Sequence, residues 1–155
     1  MLGSSPVRCT LVNVDTAERF ACQFNPESLT ERNSVRYARL EPYALSHQVM
    51  HYLGTDNRKL TQLRFYVDRA TSAAHDSDQF RRFLRAFTMP SASRGPACPP
   101  RLLLIWPQVL TLEGFVTELE FSYQQFASDG RVMVYTAQMT LEEARRRPHS
   151  AQEEH

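Results

Sequence analysis

The chain has 155 residues, with 18 Lys and Arg against 17 Asp and Glu, a formal net charge of +1. That length suits one domain with a real core. The near balance of charge excludes a chain whose bulk is built to bind nucleic acid or a membrane surface. Lys59 is the single lysine; arginine suits planar, bidentate pairing, and a genome rich in G and C produces the same bias. Cys9, Cys22 and Cys98 are odd in number and irregularly spaced, which argues against a disulfide framework and for synthesis in a reducing cytoplasm. The first residues lack a basic segment followed by a long apolar run, and no window is long enough to cross a membrane as a helix.

In chain order, Val7 to Val14 ("VRCTLVNV") predicts a first strand and Phe20 to Phe24 a second, joined by a turn at Asp15–Glu18. Cys9 and Cys22 fall on alternating apolar positions, where cysteine is usually a small buried hydrophobe. Pro26 cannot donate to a ladder, so the second strand should end at Asn25. Leu29 to Tyr37 alternates as one strand, with Leu29, Val35 and Tyr37 on one face and Thr30, Arg32, Ser34 and Arg36 on the other. The second face is wholly polar and should meet solvent, a lumen or a partner. Residues 40–59, punctuated by Pro42 and Gly54–Asn57, read as either a long loop or an extended hairpin arm. Leu60 to Asp68 resumes strand character, with Leu63, Phe65 and Val67 inward.

A helix is expected over about 77–88, capped by Asp76 or Ser77, with Gln79 three residues after Asp76 as in a capping box. Phe80, Phe83, Leu84 and Phe87 form its apolar stripe, with Arg81, Arg82 and Arg85 opposite, and Pro90 ends it. Ser91–Pro100 reads as a loop. The continuously apolar "RLLLIW" predicts a strand buried on both faces. "LEGFVTELEFSYQQF" follows, placing Phe115, Leu119, Phe121 and Tyr123 on one face. The Asp129-Gly130 pair predicts a hairpin turn, leading into a last strand, Val132 to Leu141, with Met133, Tyr135, Ala137, Met139 and Leu141 inward. The sum is seven or eight strands and one helix: a mainly β chain, folded as an antiparallel β-sandwich or split barrel over residues 1–144, with a charged tail at 145–155.

Catalytic constellations are not visible. There is no clustered-glycine phosphate loop, no CxxC pair and no HExxH. His47 and His51 stand four apart, the spacing of paired metal ligands on a helix, yet they lie between a proline and a turn with no carboxylate or cysteine at ligand spacing. They read as surface or interface histidines. Asp68 closes a strand, where a carboxylate can accept hydrogen bonds from a loop. A catalytic acid would want a perturbed partner, and none is named. Trp106 reads as a core or rim aromatic. The chain is therefore expected to be non-enzymatic, with no cofactor and no metal. A small ligand-binding β-barrel, with His47, His51, Asp68 and Trp106 near its pocket, is the rival reading.

The order of these motifs resembles a family of tube-like baseplate proteins of contractile phage tails and contractile injection systems, whose members often carry a C-terminal LysM module. The family's phenylalanine-x-phenylalanine-Asn-Pro-Glu pattern is matched by Cys22–Glu27, through Phe24, Asn25, Pro26 and Glu27, with cysteine at the first aromatic position. The strand ending in Asp68, the strand ending in Trp106, Gly114 and Phe115, and Phe126 with Asp129 and Gly130 continue the series. Pro107 stands where the family usually has glycine, "VMVY" replaces an arginine-alanine pair, and no LysM module follows the last strand.

The resemblance implies a tail-tube fold and a homo-hexameric ring, acting as a tube initiator or adaptor between a spike or hub protein and the inner tube protein, with baseplate wedge proteins nearby. It implies assembly into a virion tail or injection-system baseplate and no membrane partner. It also implies no sequence-specific nucleic-acid contact, although DNA can pass through the lumen. A tail terminator or distal tail ring is the alternative within phage assembly. Subunit contacts are expected at Leu29, Glu31, Asn33, Val35, Tyr37, Tyr43, His47, His51 and Tyr52, because unpaired strand edges recruit other chains and a ring closes them.

Overall fold

The computed structural model describes residues 7–44, 46–70, 77–91 and 98–144. The expected charged tail and Asp76 of the expected capping box lie outside the described residues. Nine strands and one helix are formed among them: β1 (Thr10–Asn13), β2 (Arg19–Ala21), β3 (Thr30–Arg32), β4 (Val35–Leu40), β5 (Val49–Thr55), β6 (Lys59–Asp68), α1 (Ser77–Ala86), β7 (Leu102–Trp106), β8 (Leu110–Phe126) and β9 (Val132–Glu143). Seven strands make one wholly antiparallel sheet in the order β2-β1-β7-β8-β9-β6-β3. β4 and β5 form a separate two-stranded ribbon. The mainly β, antiparallel, single-helix expectation holds, and the sheets do not close into a barrel.

The core lies on one face of the large sheet, under the helix. Phe80, Phe83, Leu84 and Phe87 are buried, as the stripe predicts, and meet Leu63, Phe65, Val67, Tyr135, Ala137, Met139 and Leu141. The Phe80 ring sits 5.8 Å from Phe20 on β2 and 6.2 Å from Phe65 on β6. Strands far apart in the sheet order thus touch one helix residue, so the sheet curls around α1. The buried Tyr135 hydroxyl donates to the Ser77 carbonyl over 2.8 Å, tying the first turn of the helix to β9.

Several expectations are corrected. The stretch 29–37 is two strands in different sheets, β3 in the body and β4 in the ribbon, so its polar face is not continuous. Residues 40–59 resolve to the hairpin arm of the two options. β7 is buried on one face only, at Leu102 and Leu104; Leu103, Ile105 and Trp106 are half-buried. In β8 the register slips between Val116 and Glu118. One extra residue reverses the parity of a strand. Leu119 and Phe121 therefore pack on the core while Phe115 takes the other face, with Arg101 5.6 Å from its ring. Two further slips near the turn, at Tyr123/Gln125 and Gln125/Phe126, leave Met133 half-buried and Val134 buried. Arg81 and Arg85 do not simply face solvent: their guanidiniums lie 5.6 and 5.4 Å from the Tyr123 and Phe121 rings.

Candidate functional site

The motif residues near the N-terminus turn out to be stitching. Asn25 extends the β1–β2 pair beyond its ladder: its Oδ1 accepts from the Cys9 amide at 2.8 Å and its Nδ2 donates to the Val7 carbonyl at 2.7 Å. Pro26 is buried behind it. Gln23, which sequence reasoning passed over, does the same for the curled sheet. Its Nε2 donates to the Asp68 carbonyl at 2.9 Å and its Oε1 accepts from the Asp68 amide at 3.0 Å. Asp68 in turn accepts from the Ala70 amide through Oδ1 at 2.9 Å, the loop-holding role expected of it. Alternation alone marks Gln23 as a solvent-side polar residue, so no local signal would have found it.

The remaining motif residues set turns and close approaches. Gly114 faces the β9 backbone so tightly that a Cβ there would lie 2.1 Å from the Glu142 carbonyl oxygen. Gly130 has φ +89° in the hairpin turn, where Ala127 donates to the Arg131 carbonyl at 2.8 Å and the Arg131 amide donates to Asp129 Oδ1 at 3.1 Å. That amide, followed by the Arg131 charge, holds the Asp129 carboxyl below its usual range. Trp106 packs on the core edge, and its carbonyl accepts from Val109 at 3.0 Å across a turn in which Gln108 has φ 67°. Phe126 is exposed at the end of β8. Phe24 is exposed too, its ring tilted against that of Tyr66 with centroids 5.7 Å apart, in a groove of about 570 Å³ with Glu27, Arg64 and Thr136.

The subunit-contact candidates divide between body and arm. Leu29 packs on the core, and Glu31 pairs with Arg58, which also reaches Glu143, at 3.1 and 2.6 Å. The Glu143 carboxylate foremost, with Glu31, raises the Arg58 pKa beyond its already high value. Asn33 is exposed between β3 and β4. Val35, Tyr37, Tyr43, His47, His51 and Tyr52 all belong to the arm or its tip, and all are exposed. Leu40, Val49, Met50 and Leu53 join them and were missed, because Pro42 and the histidines interrupt the apolar pattern. Among the described residues the ribbon packs on no other element to a comparable extent. Its base opens on a polar cavity of about 550 Å³ lined by Arg32, Arg36, Lys59, Asp56 and Glu142, with Arg36 and Asp56 paired at 3.0 Å.

His51 lies in β5 and His47 ahead of it, so the helical juxtaposition of the two rings is not formed. Among the described residues no three His, Cys, Asp or Glu side chains converge as metal ligands, and no helix is long and apolar enough to cross a membrane. Cys9 and Cys22 lie buried opposite each other, with the Cys22 amide donating to the Cys9 carbonyl at 2.9 Å. The Cys9 side chain, then burial, push the Cys22 thiol far above its ordinary range, which opposes a nucleophilic role. What these residues can do chemically is hold turns, seams and contacts.

The family model for the contractile injection system tube protein matches residues 10–152. No curated protein matches the chain. With that match running from β1 past the end of β9, the chain belongs to the contractile injection system tube protein family.

Proposed function

We propose that this chain is a non-enzymatic subunit, made in the bacterial cytoplasm, that forms a homo-hexameric tube-initiator or adaptor ring between the spike hub and the inner tube. Membership of the family makes it a structural component of a contractile tube apparatus; the particular ring, its baseplate location and its neighbours are the proposal. The observation that carries it is the arm, a two-stranded ribbon with exposed apolar residues that, among the described residues, packs closely on no other element. Monomeric proteins rarely leave such a surface uncovered. The large sheet also ends at β3, an edge strand that a sister copy can complete. One such contact, repeated around a closed circle, makes a ring. Leu29, Glu31 and Asn33 at the β3 edge, with the arm residues Val35, Tyr37, Tyr43, His47, His51 and Tyr52, are the contacts assigned to neighbouring subunits, the inner tube protein, the hub and the wedge. The lumen needs no cofactor and no sequence-specific nucleic-acid site, whether DNA or another cargo passes.

The test is native mass spectrometry and negative-stain imaging of the full chain, alone and mixed with its tube and hub proteins. Closed rings of about six copies are expected. Monomer in every mixture would overturn the reading.

A further inference from the structure

We infer that Cys9 and Cys22 form a modification site, a cross-strand dithiol that a small-molecule disulfide oxidises to a disulfide bond. The bond braces the seam where the curled sheet meets itself. This goes beyond the ring reading and stands without it. The β1–β2 register runs Thr10 with Ala21, Leu11 with Phe20 and Val12 with Arg19. One rung further, the Cys22 amide donates to the Cys9 carbonyl at 2.9 Å, so the two cysteines are directly opposed. Directly opposed residues put their side chains on the same face. Both thiols are unlinked, fully buried and part of the hydrophobic core. An opposed, hydrogen-bonded pair has Cα atoms about 5.5 Å apart, inside the roughly 4.4–6.8 Å that a disulfide spans. The third cysteine, Cys98, is exposed ahead of β7.

Position gives the bond its consequence. Asn25 already holds the Cys9 amide and the Val7 carbonyl. Cys22 leads directly into Gln23, whose side chain clips Asp68 at the end of β6. The seam is thus carried by side-chain hydrogen bonds, and a Cys9–Cys22 bond anchors the Gln23 clip covalently to the start of β1. In reducing surroundings both thiols persist. Buried thiols meet an oxidant only when β1 and β2 part locally, and β2 spans just Arg19–Ala21 at the end of the sheet order. The thiolate of one cysteine then attacks the S–S bond of the oxidant, forming a mixed disulfide and releasing one small thiol. The thiolate of the other attacks that mixed disulfide, forming the Cys9–Cys22 bond and releasing the second small thiol. Two protein thiols are oxidised, one small disulfide is reduced, and the protons pass to the two released thiols. The closed bond removes freedom from the unfolded chain between positions 9 and 22.

The test treats the full chain and its Cys98→Ser variant with glutathione disulfide, at a urea concentration just below the unfolding transition. Remaining thiols are blocked with iodoacetamide, and intact mass and peptide maps are read. The Cys98→Ser protein should lose two hydrogens, about 2 Da, and yield a linked peptide pair holding Cys9 and Cys22. The wild type should yield the same linked pair, and dithiothreitol should reverse the bond in both. Returned to plain buffer, the closed form should melt about 5 °C or more above the reduced form. Cys9→Ala with Cys22→Ala should show no shift on oxidation. Thiols that stay unlinked, glutathione adducts without the loss of two hydrogens, or a linked form that melts no higher would each overturn the inference. None of these outcomes bears on ring formation, which native mass spectrometry reads separately.

Discussion

Gln23 holds Asp68 by both of its backbone hydrogen-bonding groups, at 2.9 and 3.0 Å, so a side-chain amide stands in for a rung between the end of β6 and the segment after β2. The sheet curls far enough to bring these segments together without joining them by a ladder. Gln23→Ala should leave a partly buried amide and carbonyl without their partner and destabilise the subunit by about 1–3 kcal/mol. Gln23→Glu, which turns a carboxylate oxygen on the Asp68 carbonyl where the amide nitrogen donated, should destabilise at least as much as Gln23→Ala. Urea unfolding of the three proteins checks the order, and a wild-type midpoint for Gln23→Ala would contradict it.

Among the described glycines, Gly114 should tolerate an added methyl least. The added carbon would meet carbonyl and backbone atoms of Glu142 and Glu143, none of which is a flexible side-chain end. The β8–β9 ladder must shift, at about 3 kcal/mol. Gly130→Ala meets open space and bears only the left-handed backbone cost, about 1 kcal/mol. Thermal melts should separate the two variants clearly.

Gln108 occupies a position that favours glycine. Pro107 precedes it, its φ is 67°, and the Trp106 carbonyl closes the turn onto Val109. Gln108→Gly relieves the backbone strain but adds freedom to the unfolded chain, so a net gain of about 0.5 kcal/mol is expected. A loss of stability in chemical denaturation would refute the strain at this turn.

The Cys22 thiol keeps its proton in the folded state at pH values where the unfolded chain gives it up. Its folded pKa is raised, so its contribution is intact below the unfolded thiol pKa of about 8.5 and is lost as pH rises above it. Between pH 9 and 10 the wild type should lose stability with an extra slope of up to about 1.4 kcal/mol per pH unit. Cys22→Ala, though less stable throughout, should lack that extra slope. Equal slopes would contradict a buried, proton-bound thiol.

Much of the architecture is legible in the sequence where the signal is local. The helix stripe at Phe80, Phe83, Leu84 and Phe87 and the Asp129-Gly130 hairpin each depend on residues within a turn or two of one another. The reading of Phe115 fails because parity is inherited along a strand, and Thr117 is an extra residue that no pattern announces. The reading of 29–37 fails for a related reason: Asn33 and Ser34 let the chain leave one sheet for another while side chains go on alternating. Gln23 and the arginines over Phe121 and Tyr123 were illegible because their partners are distant in sequence and their polarity mimics exposure. The arm was half legible: it stood as one of two options, and the exposure of Leu40, Val49, Met50 and Leu53 did not show.

A lone two-stranded ribbon is only marginally stable in water. The arm therefore gives the subunit a built-in delay: the freshly made chain presents its stickiest element in a form that must still become fully ordered. For the proposed ring, stray encounters are poorly rewarded, whereas a nucleus that already offers a seat for the arm recruits quickly. Growth should accordingly show a lag that seeding abolishes.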